Sequence, residues 1–181
     1  MHNNNSYKNM VIITESEIRF EDIYKKPYVT SNILDEIKKA NALILPNEGF
    51  RDKTDPMFPE ETSVFFEYLK SHSDESGLLP DICIDDENYK LLELHDAELL
   101  LPSLIVTSFI LPVVINLISS YLYDKIKQKR EDFNIEIKII EQDKDVSKSL
   151  EYKGPASDFK RSYEIAAKDL FKEYAKDEKS N

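Results

Sequence analysis

Hydrophobic positions follow distinct rhythms along this chain. The first is the short uninterrupted run: Met10-Val11-Ile12-Ile13-Thr14, Ala42-Leu43-Ile44-Leu45 and Asp81-Ile82-Cys83-Ile84-Asp85 are apolar or β-branched stretches bounded by polar residues. Such runs predict strands buried on both faces. Ile18 and Phe20 alternate with charged neighbours and suggest a further short extended piece. Between the runs the spacing turns helical. Thr30-Ser31-Asn32 supplies N-cap side chains ahead of Ile33, Leu34 and Ile37, and lysines occupy the last turn. A second helix follows the acidic start Glu60-Glu61-Thr62 and runs to about Ser71, with Val64, Phe65, Tyr68 and Leu69 on its apolar side.

Strand, helix, strand, helix, strand with short connections is the pattern of a parallel sheet built from crossovers. Residues 9–90 are therefore expected to form an α/β domain with a small parallel three-stranded sheet. Pro27, Pro46, Pro56, Pro59 and Pro80 all fall in its connections, where a missing backbone donor costs nothing.

Another rhythm begins at Phe133. Phe133 to Ile139 alternates strictly, which predicts a strand with one buried and one wet face. A partner strand over Ser149 to Lys153 follows across a turn between Gln142 and Ser147. Phe159, Tyr163, Ala166, Ala167, Leu170, Phe171 and Tyr174 then mark the stripe of a final amphipathic helix. This C-terminal ββα module, residues 131–175, is too small to stand alone comfortably and is expected to pack on another part of the chain or on a partner. Residues 1–8 and 176–181 carry no periodicity and are expected to be flexible ends.

The segment between these parts, within 91–130, has no periodicity of charge at all. Leu99 to Tyr123 contains no Asp, Glu, Lys, Arg or His, and as a helix its about 25 residues would cross a bilayer core of about 30 Å. Two observations oppose a membrane span. Pro102 and Pro112 divide the stretch, and Glu93, Asp96 and Glu98 precede it while Lys125, Lys127, Lys129 and Arg130 follow. The positive-inside rule would then require translocation of the N-terminal part. A long apolar helical segment folded as a pair, Leu99–Leu111 and Pro112–Lys127, fits better, with Pro112 in a first helical turn. Its apolar surface is broad enough to call for a protein interface, expected at Leu104, Phe109, Val113, Asn116, Leu117, Ser120 and Tyr123. A single-pass span, or a reversibly inserting segment, through 99–123 is the alternative.

Composition narrows the function classes. The formal charge of −11 over 181 residues disfavours binding to nucleic-acid phosphate or an anionic membrane surface. The start, Met1-His2-Asn3-Asn4-Asn5-Ser6, has neither a cationic nor an apolar leader region, so a cytoplasmic protein is expected, with an inner-membrane location following only from the span. The lone cysteine, Cys83, sits in an apolar run and suits a buried hydrophobe. With glycine only at 49, 77 and 154, no Walker or dinucleotide-binding loop can be written, and neither a serine-hydrolase elbow nor a paired-histidine zinc motif is present.

Candidate chemistry lies at the carboxyl ends of the predicted strands, where ligands gather in parallel sheets. These ends carry Thr14-Glu15, Asn47-Glu48-Gly49 and Asp85-Asp86-Glu87. Glu48, Asp85 and Asp86 are the candidate oxygen ligands for Mg²⁺, with Arg51, His72 or His95 as helpers, which would suit nucleotide or phosphoester chemistry. The plainer reading is that acidic residues end strands because the chain leaves the core there. Glu93, His95, Asp96 and Glu98 scatter around a helix rather than converge. The leading expectation is a non-catalytic interaction or oligomerisation subunit of a bacterial multi-component system, of the stress, toxin or phage-defence kind, whose partner is itself or another protein chain. A metal-dependent enzyme and a single-pass membrane protein are the alternatives.

Overall fold

A computed structural model describes residues 10–49, 55–93 and 98–177, with side chains described as far as Asp169. In chain order the elements are β1 (Met10–Ser16), α1 (Phe20–Ile23), α2 (Ser31–Ile37), β2 (Ala42–Leu45), β3 (Phe58–Pro59), α3 (Thr62–Ser71), α4 (Ser73–Ser76), β4 (Pro80–Ile82), β5 (Leu91–Leu92), β6 (Leu99–Leu100), β7 (Ser103–Thr107), α5 (Leu111–Lys129), β8 (Asn134–Asp143), β9 (Val146–Pro155) and, after a 3₁₀ turn at Ala156–Asp158, α6 (Phe159–Asp177). The fold is mixed α/β. Its main sheet has seven strands in the order β1-β9-β8-β7-β2-β4, with β6 beside β8, and β3 pairs with β5 separately.

This is not the small parallel three-stranded sheet expected from the first 90 residues. Two of those three strands do pair as expected: β2 and β4 are parallel, Ala42 opposite Pro80 and Ile44 opposite Ile82. β1 instead lies at the far edge, antiparallel to β9, and is not buried on both faces as its apolar run suggests: none of its residues is fully buried, because an edge strand has only one neighbour and one of its faces is open. The sheet is mixed, because β7 is antiparallel to β2 and parallel to β8, and the β8–β9 hairpin is antiparallel. Residues from all three expected segments thus share one sheet. The extended piece expected at Ile18–Phe20 is the entry to α1, whose first amide, Phe20 N–H, donates to Gln142 Oε1 at 2.7 Å.

The uncharged stretch is not one long apolar helix, nor a helix pair. Leu99 to Thr107 forms β6 and β7, both parallel to β8. Leu99 sits opposite Ile135 and Leu104 opposite Ile139, so the path through Leu101-Pro102 carries one more residue than β8 does, a bulge where Pro102 cannot donate. The run Leu104-Ile105-Val106 then lies between β2 and β8, buried from both sides. Only the second part is helical as expected. α5 opens at Leu111 with Pro112 in its first turn and ends at Arg130 in a left-handed conformation, φ 57°. Its later turns carry Asp124, Lys125, Lys127 and Lys129, and no helix among the described residues is long and apolar enough to cross a membrane.

Two apolar layers hold the sheet. On one face α3, α5 and the start of α6 pack over Ala42, Ile44, Leu104, Val106, Ile135, Ile137, Ile139, Leu150 and Tyr152. On the other, α1, α2 and Cys83 cover only Leu43, Leu45, Ile105 and Ile140. The second layer therefore ends over Ile140 of β8 and the buried Ser147 and Ser149 of β9. Beyond it the same face of β8, β9 and β1 is open, and carries Met10, Ile12, Glu136, Glu151 and Lys153 exposed. Lys138 stands opposite Glu151 there, their charges 3.8 Å apart. Tyr152 ties the hairpin to α6 by donating to Pro155 O at 2.7 Å and packing edge-on against Phe159.

Candidate interaction surface and the strand-end cleft

The carboxyl ends of β2 and β4 are adjacent because the two strands are parallel, and the chain leaves them through Asn47-Glu48-Gly49 and Cys83–Asn88. Residues 26–30, between α1 and α2, cover this end. Lys26 Nζ donates to Glu48 Oε2 at 3.0 Å, and Thr30 Oγ1 donates to Asp85 Oδ2 at 3.1 Å. Tyr28 lies between them, in contact with Glu48 and Cys83. Burial first, then the neighbouring Cys83 and Glu48, hold its phenol far above the ordinary tyrosine range. Cys83 donates its S–H to Ile44 O at 3.0 Å, and burial pushes its thiol up to about 12. It is the buried hydrophobe expected.

Glu48 and Asp85, two of the three candidate ligands, do share this end of the sheet, but each is occupied by the fold. Asp85 Oδ1 closes the 85–88 turn by accepting from Asn88 N–H at 3.0 Å and from its side-chain amide at 2.6 Å. Asp86 is exposed in that turn. Glu15 lies on β1 at the opposite edge of the sheet, and His72 ends α3 with its ring tilted against that of Tyr68 and its Nδ1 2.8 Å from Tyr68 O. Arg51 and His95 lie outside the described residues. Glu93 is exposed, and Glu98 pairs with Lys153 at 3.5 Å. Among the described residues no group of three or more His, Cys, Asp or Glu is placed to hold a metal ion. A cleft of about 380 Å³ beside Glu48 is rimmed by Lys26 with Glu48 and by Lys90 with Asp55, the second pair at 2.6 Å. Its positive and negative charges balance, so it concentrates neither cations nor anions.

The outer side of α5 is a different kind of surface. Ile115, Ile118 and Leu122 turn inward and are buried, as are Leu111, Val114 and Tyr121. Helical geometry then sets Val113, Asn116, Ser120, Tyr123 and Lys127 on the opposite side at alternating spacings of three and four, and Phe109 leads into the same line from the turn before the helix. Phe109 is 88% exposed and Tyr123 58%. Val113 and Leu117 are half-buried at the margin, Asn116 and Ser120 exposed. Five of the seven expected interface residues thus lie along one face of α5, and Phe109 sits in the turn just before it. Leu104 does not: it is fully buried in β7. The line ends in positive charge, with Lys127 Nζ 4.6 Å from the centre of the Tyr123 ring and Lys129 Nζ 4.5 Å from that of Phe133.

On the inner side the helix is pinned to α3. Tyr121 packs edge-on against Phe65 and donates its hydroxyl to Glu61, which also pairs with Lys125. Burial, then the Glu61 carboxylate, raise the Tyr121 phenol well above its ordinary value. Sequence reasoning did not find this Glu61–Tyr121–Lys125 group. The signal available was weak, since Glu61 stands at the start of α3 while Tyr121 and Lys125 lie on α5, and none stands out alone. Compared with protein families, curated proteins and solved structures, the chain has no match.

Proposed function

We propose that this chain is a non-catalytic protein-interaction subunit of a bacterial multi-component system, and that the outer face of α5 is where it receives a helix of another protein. The observation that carries this reading is Phe109, a large aromatic ring 88% exposed at the head of a stripe that is uncharged as far as Tyr123. Exposed aromatics in line are costly to leave in water and are the usual anchors of interfaces. The alternating three-and-four spacing is that of a helix seam, and Asn116 and Ser120 at its middle would set the register of the incoming helix. Lys127, Lys129 and Arg130 favour acidic residues at one end of that partner.

The test uses the full chain as bait in the cells that encode it, beside a Phe109→Ser/Tyr123→Ser variant. Phe109 and Tyr123 contribute little to the core, so the variant keeps its melting temperature. The expected result is one protein recovered by the wild type and lost by the variant, whose purified form binds the wild type with at least tenfold higher affinity than the variant. Equal recovery by both baits, or no stoichiometric partner for either, overturns the proposal.

A further inference from the structure

β1 closes one edge of the main sheet. Its inner side pairs continuously with β9, from Met10 opposite Lys153 to Ser16 opposite Ser147, and no strand among the described residues pairs with its outer side. Proteins ordinarily blunt such an edge with lysine, proline or a bulge. Met-Val-Ile-Ile-Thr-Glu-Ser has no lysine and no proline, pairs without a bulge, and carries a single charge, Glu15. Apolar side chains flank the edge on both faces: Met10 and Ile12 are 48% and 41% exposed on the open face, and Ile165 of α6 is 52% exposed on the helical one. A groove of about 480 Å³ separates β1 from α6, with Val11 on one wall and Arg161, Ile165 and Asp169 on the other.

We infer that a second copy of this chain pairs with β1, antiparallel about a two-fold axis at Ile13, so that two sheets join into one. The sequence of β1 suits its own reverse. With Ile13 on the axis, Ile12 meets Thr14 of the second copy, Met10 meets Ser16, and Val11 meets Glu15, so no two carboxylates face each other. Open-face residues stay with open-face residues, as the period of two requires. Strand pairing of this length buries less than the about 1,200 Å² of a standard interface. The two α6 helices supply the remainder: centred on Ile165 and antiparallel, they set Arg161 of each copy across from Asp169 of the other, whichever contacts those groups also keep within their own chain. A chain of net charge −11 repels its copies, and β1 adds only one carboxylate per copy to that repulsion, Glu15. The dimer is separate from the outer face of α5 and does not depend on what that face binds.

Light scattering on the size-exclusion peak of the full chain tests the inference, with the expected mass twice 21.1 kDa. In the proposed register the Ile12→Glu/Thr14→Glu variant sets carboxylates opposite each other, and Ile12→Lys/Thr14→Glu sets opposite charges together. The first is expected to raise the dimer dissociation constant at least tenfold, and the second to restore it. A monomeric wild type overturns the inference. So does a dimer indifferent to both variants, even if Phe109→Ser/Tyr123→Ser dissolves it, because the contact would then lie on α5. Should the doubly acidic variant fail to fold, hydrogen exchange in the wild type decides: β1 amides gain protection as concentration rises if the edge is paired. Protection independent of concentration rejects the second copy and leaves the edge to another occupant.

Discussion

The two halves of the sheet solve burial differently. β2 and β7 are covered on both faces, and all four residues of β2 and the three central residues of β7 are buried. β1, the first part of β8 and the last part of β9 are covered by α5 and α6 on one face only, and side chains of β8 alternate there between core and solvent, as in the burial of Ile135, Ile137 and Ile139 beside exposed Glu136. The number of covering layers sets how much freedom the sequence has. A strand between two layers must be apolar throughout, whereas β8 and β9 spend open-face positions on charge, in the Lys138–Glu151 and Lys153–Glu98 pairs, and β1 does not, with Met10, Ile12, Thr14 and Ser16 there.

The sharpest break in that comparison is to remove the same side chain from each half. Ile105→Ala opens a cavity under α1 and α2 and is expected to cost about 2–5 kcal/mol, while Ile12→Ala on the open face is expected to change stability by less than about 0.5 kcal/mol. Urea unfolding of the two variants measures both. A similar cost for each would mean that the open face is covered.

Alkaline pH discriminates the halves next. Burial raises the Cys83 thiol to about 12, and raises Tyr28 as well, in the doubly covered half. Above the ordinary thiol pKa the unfolded chain releases a proton that the folded chain retains, so stability falls as pH rises from about 9 towards 12. Cys83→Ala is expected to flatten that slope, read from melting temperatures across the range, and native Cys83 is expected to resist thiol reagents that label the unfolded chain rapidly.

Asp132 tests how the hairpin half is tied to its helix. Its carboxylate accepts from Phe133 N–H at 2.9 Å and from Ser157 N–H at 3.2 Å, joining the start of β8 to the turn before α6. Asp132→Ala is expected to cost about 1–2 kcal/mol, the usual scale of a lost cap. Smallest of all is Lys138→Ala on the open face. Its pair with Glu151 is solvated on both sides, so the change is expected to stay within about 0.5 kcal/mol and to shrink further in high salt, measured by the same unfolding curves.

Legibility followed the same division. The alternating segment 133–139 was readable as a strand because only one of its faces is buried, and the start of α5 at Pro112 was readable from proline's fit to a first helical turn. The Leu99–Leu111 stretch was misread. Where both faces are buried, polar positions no longer mark a period, and a strand and a core helix have the same pattern. The β-branched run Ile105-Val106-Thr107 was the one local sign in favour of a strand. At the candidate sites, the exposed positions of α5 followed from helical geometry. The occupation of Glu48 by Lys26, and of Asp85 by Thr30 and Asn88, did not, because those partners come from other segments.

The amino-acid pattern alone placed α2, α3, the β8–β9 hairpin and the line of residues along α5, but it gave β1 the look of a strand buried on both faces, whereas Met10 and Ile12 are exposed. Tertiary structure decided the order of strands: β1 at the far edge, β7 in the middle, and Leu99 to Thr107 extended rather than helical. The physical reason is that periodicity records only whether a side chain meets water. Which strand lies beside which is set by hydrogen bonds and packing between residues distant in the chain, as where Met10 meets Lys153 and Leu45 meets Ser103, and no local pattern encodes those partners.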